Sequence, residues 1–415
     1  MERSRKLPPF AFLNTLMFSV CNQSKVSLPD VTADLNQQFS VDISKEALHK
    51  KFTGRAVRFL EAVIKERLDR QFALPKEDGL NKHFLGVNAK DSCKFSLPST
   101  YEGDYPGFGN FSKKNGIMNL QYEYDLLGGN WNDIKLTNIK SNDQNESNQT
   151  VGSICEGHLY LRDLGYITPK YLKAVIKNGA FFLNRFPSQV GICTVDGEPM
   201  DWDSIHRKFN KTGAMSLDMD VLAYKKEQIP CRLVIERVDD NEYRKRLKKA
   251  ENSAKSQGVG VSKAHKIRCR YNTFITNVGK EILPTKALRK TYYLRWQIEL
   301  VFKTWKSFFE VDKVKKVKKE RLECQLLAKL LWVLLNWRLF QIYNRHVQNE
   351  FPDKGASVIK FFKRCINFSS RLRMVVLKQM KVVSWLENVF LPLVQNVACE
   401  APRGKITHYQ LISQF

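Results

Sequence analysis

Tyr292-Tyr-Leu-Arg-Trp-Gln-Ile-Glu-Leu-Val-Phe-Lys-Thr-Trp-Lys306 reads as part of one helix running from about Leu288 to Phe309. At about 100° per residue, Tyr292, Arg295, Glu299 and Lys306 fall within a stripe roughly 60° wide. Leu294, Ile298, Val301, Trp305 and Phe308 occupy the far side, within roughly 80°, a face suited to packing on a sheet. Taken alone, the polar stripe describes a solvated helix face with charge pairs at helical spacing.

Two upstream strands change that reading. From Phe84 to Leu97 the residues Leu85, Val87, Ala89, Cys93, Phe95 and Leu97 alternate with Asn88, Lys90, Ser92, Lys94 and Ser96. Asp91 is in phase with the apolar set. Asp163 repeats the pattern: it ends the strand Gly157 to Asp163 in phase with Leu159 and Leu161, just before Gly165 lets the chain turn. A lone carboxylate on an apolar face is costly to bury. If both strands share a sheet that the helix crosses, three carboxylates converge, and their repulsion raises their pKa values unless cations neutralise them. Oxygen-only ligands favour magnesium or manganese. Two such ions about 4 Å apart stabilise the attacking and leaving oxygens of an in-line displacement at phosphorus. The chemistry expected is therefore phosphodiester hydrolysis and transfer. Asp104 and Asp125 remain alternatives to Asp91, with Asp125, after Tyr124, the nearer rival.

Composition points to the same substrate. The 415 residues carry 68 Lys+Arg against 42 Asp+Glu, a formal charge of +26 spread along the chain. Such a surface attracts polyanions, and nucleic acid is the usual partner because neutralising phosphates releases condensed counterions. With 43% hydrophobic residues, 21 Gly and 14 Pro, the chain is globular rather than disordered. The nine cysteines stand singly with no Cys-x-x-Cys pair, which opposes a zinc site or a disulfide framework and fits a reducing cytoplasm. The apolar run Phe10 to Cys21 contains Asn14 and Thr15, and Leu326 to Tyr343 contains Lys329, Asn336 and Arg338. Both read as core helices, and no membrane role is expected.

The length allows two to four folding units. Residues 1–75 read as a small basic helical region, with a helix over Ala47 to Leu68, suited either to DNA recognition or to capping the next domain. Residues 76–185 supply strands over Phe84 to Leu97, Gly116 to Leu127, Asp133 to Ile139, Gly157 to Asp163 and Ala180 to Asn184. A helix from Pro169 to Asn178 falls among them, 140–150 reads as a polar loop, and Gly- and aromatic-rich turns run up to Asn110. Residues 186–270 form a β-rich insertion without helix periodicity except in the charged stretch Asp239 to Lys255. Residues 271–347 resume with strand Tyr271 to Val278, the signature helix, the basic run Lys313 to Arg321 and a long helix from Leu322. Residues 348–415 read as helical and basic.

The spacing Tyr292-x2-Arg295-x3-Glu299-x6-Lys306 resembles the Tyr-Arg-Glu-Lys signature of the insertion-sequence-four family of DDE transposases. Asp163-Leu-Gly-Tyr with Phe182-Leu-Asn-Arg185 is similar to the region of that family's second aspartate, and Asp91-Ser-x3-Ser-Leu-Pro98 to the first. Ile275-Thr-Asn-Val278 also fits, and the likeness spans roughly residues 5–345. It implies an α/β (α+β) fold with a ribonuclease-H-like mixed sheet and flanking helices, interrupted by the β-rich insertion between helical N- and C-terminal regions. It implies that 76–185 and 271–347 are two parts of one catalytic domain, and that 348–415 serve dimerisation or DNA contact. Asp91, Asp163 and Glu299 would hold two Mg2+ or Mn2+ ions, and Tyr292, Arg295 and Lys306 would contact phosphates and a flipped base. Trp296 would stack on that base or pack in the core. A cut-and-paste transposase, a homodimer on double-stranded DNA in a bacterial cytoplasm, is the activity implied. A nuclease of the same fold that does not join strands, or a decayed DNA-binding descendant, is the alternative.

Overall fold

The computed structural model describes residues 7–22, 26–71, 79–107, 115–187, 190–351, 355–395, 397 and 407–413. The expected turns at 108–110 and much of the C-terminal segment beyond 395 lie outside them.

Four helices open the chain: α1 (Pro9–Asn22), α2 (Leu28–Phe39), α3 (Lys45–His49) and α4 (Gly54–Asp69). The helix expected from Ala47 to Leu68 is thus two. Thr53, in extended conformation, caps α4 by accepting a hydrogen bond from the Ala56 amide, and Phe52 before it is buried.

Nine strands then build one sheet: β1 (Gly86–Leu97), β2 (Gly116–Asp125), β3 (Trp131–Asn138), β4 (His158–Arg162), β5 (Phe181–Arg185), β6 (Ile192–Cys193), β7 (Ser216–Ala223), β8 (Ile229–Arg237) and β9 (Tyr271–Thr276). Their order is β3-β2-β1-β4-β5-β9-β8-β7-β6. Strands β1, β4 and β5 are parallel, and the other pairings are antiparallel. The first five strands are the ribonuclease-H-like core, and the strands of the inserted segment extend the same sheet through β9.

Between the strands lie α5 (Asp143–Gln149), α6 (Pro169–Lys177), α7 (Trp202–Thr212), α8 (Asp240–Ser256) and α9 (Lys263–Arg268). After the sheet come α10 (Thr285–Tyr293), α11 (Gln297–Phe309), α12 (Lys319–Glu350) and α13 (Val358–Val376). Three of these, α5, α7 and the short α9 with its buried Ile267, correct the sequence reading. The polar stretch 140–150 contains a helix, α5, whose Glu146 and Ser147 are buried. Residues 202–212 contain α7, with Ile205 and Phe209 buried one turn apart.

One face of β1–β3 buries Cys93, Phe95, Leu120, Tyr122 and Trp131 in a core shared with α1, α4, α11, α12 and α13. Helix α12 is the spine of that core: Trp332 meets Phe18 of α1, and Trp337 meets both Trp131 of β3 and Phe362 of α13. Packed on several sides, α12 buries most of its apolar residues rather than one stripe. Among the described residues no helix is long and apolar enough to cross a membrane.

The opposite face of β1 departs from the expected alternation. Lys94 and Ser96 are exposed, but Asn88 and Lys90 are buried as deeply as Val87 and Ala89. A central strand covered on both sides has no solvent face, so its polar residues must find partners inside.

Candidate active site

The parallel register of β1 and β4 pairs Ala89 with Leu161 and Lys90 with Arg162, and the ladder ends there. Asp91 and Asp163, the next residue of each strand, therefore flank the mouth that opens where the two strands part. Carboxyl ends of parallel strands are where open α/β sheets form ligand crevices.

Glu299 arrives from above. Asp91 lies opposite Tyr122 across the β1–β2 ladder, and the Tyr122 ring packs against Phe302 and Trp305 of α11, at 5.9 and 4.8 Å between centroids. Ile298, Val301 and Trp305 are buried beside it, so the helix is held over β1 with Glu299 toward Asp91. The signature segment is not one continuous helix. Residues Leu294–Trp296 form a 3-10 turn between α10 and α11. Leu288, Tyr292 and Leu294 pack in one core with β4, β5 and β9, whereas Ile298, Val301 and Trp305 pack in another with β1–β3. The tighter turn re-aims the chain between two cores, and Phe302 and Phe309 are buried where Phe308 was expected.

The polar stripe nonetheless converges. Arg295 Nη1 donates to Asp91 Oδ2 at 2.6 Å, and Nη2 donates to Glu299 Oε1 at 3.0 Å. The Tyr292 hydroxyl donates to Asp163 Oδ1 at 3.2 Å. Lys306 lies near the buried thiol of Cys93, two residues along β1 from Asp91, and its charge works against the burial that raises that thiol's pKa. Trp296 is 49% exposed, as is much of Tyr293, so Trp296 stands at the rim and not in the core.

Burial pushes the Asp91 carboxyl up to about 6; Arg295 and the Ser92 amide pull it down, and Asp163 and Glu299 push it further up. Burial likewise raises the Tyr292 hydroxyl, with Asp163 adding to the effect. Burial opposes the charge on Arg295, yet Tyr292, Asp91, Asp163 and Glu299 together hold its pKa above the ordinary value. Asp91 thus feels both other carboxylates, and a cation sits between it and Glu299.

The two rivals of Asp91 have other work. Asp125 accepts from the amides of Val87, Leu127 and Gly128 and so closes the β2–β3 turn. Asp104 pairs with Lys319 at 2.7 Å.

Among the described residues no three His, Cys, Asp or Glu side chains are drawn tightly enough to hold a metal ion as they stand. The donor chemistry nevertheless fits a divalent cation. Asp91, Asp163 and Glu299 offer oxygens only, and the place between Asp91 and Glu299 already takes a positive charge, the Arg295 guanidinium.

Residues 83–335 match the family described as Transposase DDE domain. The chain belongs to the DDE transposase family. The transposase for insertion sequence element IS231F of Bacillus thuringiensis subsp. israelensis is 30% identical over 320 residues, covering 71% of this chain and 65% of the relative. That of IS1151 from Clostridium perfringens is 28% identical over 384 residues, covering 88% and 80%. Among solved structures, a piggyBac transposase synaptic complex with hairpin DNA is 10% identical with a TM-score of 0.44, covering 96% of this chain and 78% of that one. The chain spans just under two thirds of the first of these relatives. In this DDE transposase-family chain, then, the matched region runs from the residues before β1 to the middle of α12.

Sequence reasoning missed Cys93 as the neighbour of Lys306, and it missed the residues behind the sheet. A signal for the latter was available: each aspartate follows a cation in its strand, Lys90-Asp91 and Arg162-Asp163.

Proposed function

We propose that the protein is a transposase that cleaves double-stranded DNA at the ends of its own element and joins the freed strands to target DNA by a cut-and-paste route. The convergence of Asp91, Asp163 and Glu299 around Arg295 and Tyr292 carries this reading. Asp91, Asp163 and Glu299 would hold two Mg2+ or Mn2+ ions, which when bound stabilise the attacking and leaving oxygens at phosphorus.

The chain's own groups do the rest. Arg295 releases Asp91 and Glu299 and turns its planar fork to a phosphate, a geometry that suits bidentate recognition. Lys306 and the Tyr292 hydroxyl address the neighbouring phosphates, and the exposed Trp296 ring offers a stacking face to a base turned out of the duplex. Water attacks the phosphorus at the element's end, the bond to the 3′ oxygen breaks, and a 3′-hydroxyl and a 5′-phosphate result. The 3′-hydroxyl then attacks a target phosphodiester, forming one bond to phosphorus as another breaks. Two ends must be brought together, so a homodimer is the working form. Such an activity would work in the cytoplasm on nucleoid DNA, a setting that the bacterial source of the relatives supports.

The test is Mn2+- or Mg2+-dependent cleavage and strand transfer on DNA carrying the element's ends, comparing wild type, Asp163→Ala and Glu299→Ala. Both variants lose cleavage and keep end binding. A Glu299→Ala enzyme that cuts at the normal rate would refute the site, and cleavage without joining would identify a nuclease of the same fold.

A further inference from the structure

Behind the mouth that holds Asp91 and Asp163, on the other face of the sheet, the residues flanking both aspartates converge on the short helix α5. Lys90, just before Asp91, is buried and donates to Glu146 of α5 and to Asp133, both at 2.9 Å. Arg162, just before Asp163, is buried and donates through Nη1 to the Ser147 hydroxyl of α5 at 3.0 Å and through Nη2 to Glu123 at 3.2 Å. Ser92, just after Asp91, donates its hydroxyl to Asp143 Oδ1 at 3.1 Å, while its amide donates to Asp91 Oδ1 at 2.8 Å. Gly165, two residues after Asp163, lies so close to Asp143 that an added Cβ would sit 2.9 Å from Asp143 Oδ2. The residues on both sides of Asp91 and the one before Asp163 thus hydrogen-bond to one helix, and the turn after Asp163 lies against it.

We propose that α5 is a positioning device for the metal-binding aspartates, with Asp143, Glu146 and Ser147 setting the separation of Asp91 and Asp163 without touching the reacting atoms. Two physical arguments support this. The β1–β4 ladder stops at Lys90 and Arg162, so although β2 pairs with Asp91, no ladder ties Asp91 to Asp163, and α5 supplies the missing tie. The cluster is also a poor device for stability alone. Lys90, Lys135 and Arg162 face Glu123, Asp133 and Glu146, and such buried ion clusters are often replaced by apolar residues at no loss. Their benefit is directional, because charge-assisted hydrogen bonds have narrow geometry. A segment whose polarity reads as a surface loop is polar because it must bind the rear of two charged strands.

The inference rests on the metal-holding role of Asp91 and Asp163, and one experiment separates the two. Mn2+ alone is titrated calorimetrically into the full chain as wild type, Asp163→Ala, Ser147→Ala, Asp143→Asn and the control Asp218→Asn, and each protein is also melted. Asp218 pairs with the buried Arg232 at 2.7 Å and accepts from Thr285 at the start of α10, so its loss softens the fold beside the site without touching Asp91, Asp163 or α5. Wild type binds Mn2+ and Asp163→Ala does not. Ser147→Ala and Asp143→Asn bind about tenfold more weakly or worse, as orienting groups around metal ligands do, while melting no lower than the control, which binds as wild type. If the two α5 variants bind within twofold of wild type, or the control weakens as much as they do, α5 is only a structural brace and the inference is overturned. If Asp163→Ala binds like wild type, or wild type does not bind, the metal reading falls and this inference falls with it.

Discussion

Arg295 occupies the place between Asp91 and Glu299 that a divalent cation would take in the proposed site, so replacing it tests that site directly. In Arg295→Met most of the apolar stem is kept and the charged guanidinium is lost. The pair with Asp91 is largely buried, with 12% and 23% of the two side chains exposed. Breaking such a pair and leaving the carboxylate behind costs about 3 kcal/mol, the low end for buried pairs. Glu299 is 44% exposed, and solvent screening holds its share to under about 1 kcal/mol. Without metal, the variant should therefore melt lower by roughly 6 °C, taking about 2 °C per kcal/mol for a long chain. Manganese at about 100 times its dissociation constant returns roughly 2.7 kcal/mol. In wild type part of that gain is spent displacing Arg295, so the rise in melting temperature on adding Mn2+ should be larger in the variant. Calorimetric melting in EDTA and in Mn2+ checks both halves, and strand cleavage should be lost throughout because no guanidinium remains for the phosphate. Equal melting of the two proteins in EDTA, or a Mn2+ rise no larger in the variant, would refute the competition.

Trp305→Ala removes the ring wedged against Tyr122 and Trp131 and should cost about 3–5 kcal/mol, read as a lower denaturation midpoint together with lost cleavage. Burial pushes the Lys329 ammonium down to about 8, although it donates to the Glu310 carbonyl at 2.7 Å. A base with a depressed folded pKa binds fewer protons folded than unfolded between about pH 8 and its ordinary value, so wild-type stability should rise relative to Lys329→Met across that window; a constant difference on chemical denaturation from pH 7 to 10 would contradict it. End-DNA affinity should fall steeply with salt, the logarithm of the binding constant dropping linearly with that of the salt concentration, and a flat salt dependence would remove the electrostatic footing of the +26 charge.

How much of this was legible in the sequence varies with the physics. The core strands were readable because Asp91 and Asp163 interrupt clean apolar alternation, and the Tyr-Arg-Glu-Lys spacing survives in space even though the helix that carries it is broken by a 3-10 turn. That break could not be read from periodicity, because Leu294 and Ile298 are equally apolar and only the structure shows that they belong to different cores. Helix α7 was missed because its apolar residues, Ile205 and Phe209, are few among charged neighbours. Helix α5 was missed for a deeper reason. Reading from one sequence treats polarity as exposure, and Glu146 and Ser147 are polar precisely where they are buried, because Lys90 and Arg162 reach them from the strands.

The site draws its parts from different cores. Glu299 rides on α11, whose apolar side packs with β1–β3, whereas Tyr292 belongs to the cluster formed with β4, β5 and β9. Arg295 lies in the turn between them, with Tyr292 one helical turn before it and Glu299 one after. Its guanidinium bonds the acids of the first core and stands 5.8 Å from the Tyr292 ring of the second. A small shift of α10 against α11 therefore changes the Arg295 contacts before it disturbs either core, since packed cores resist gradual deformation and the turn does not. DNA that draws Arg295 to a phosphate would act at that same joint, freeing Asp91 and Glu299 together and so linking end binding to the readiness of the carboxylates for metal.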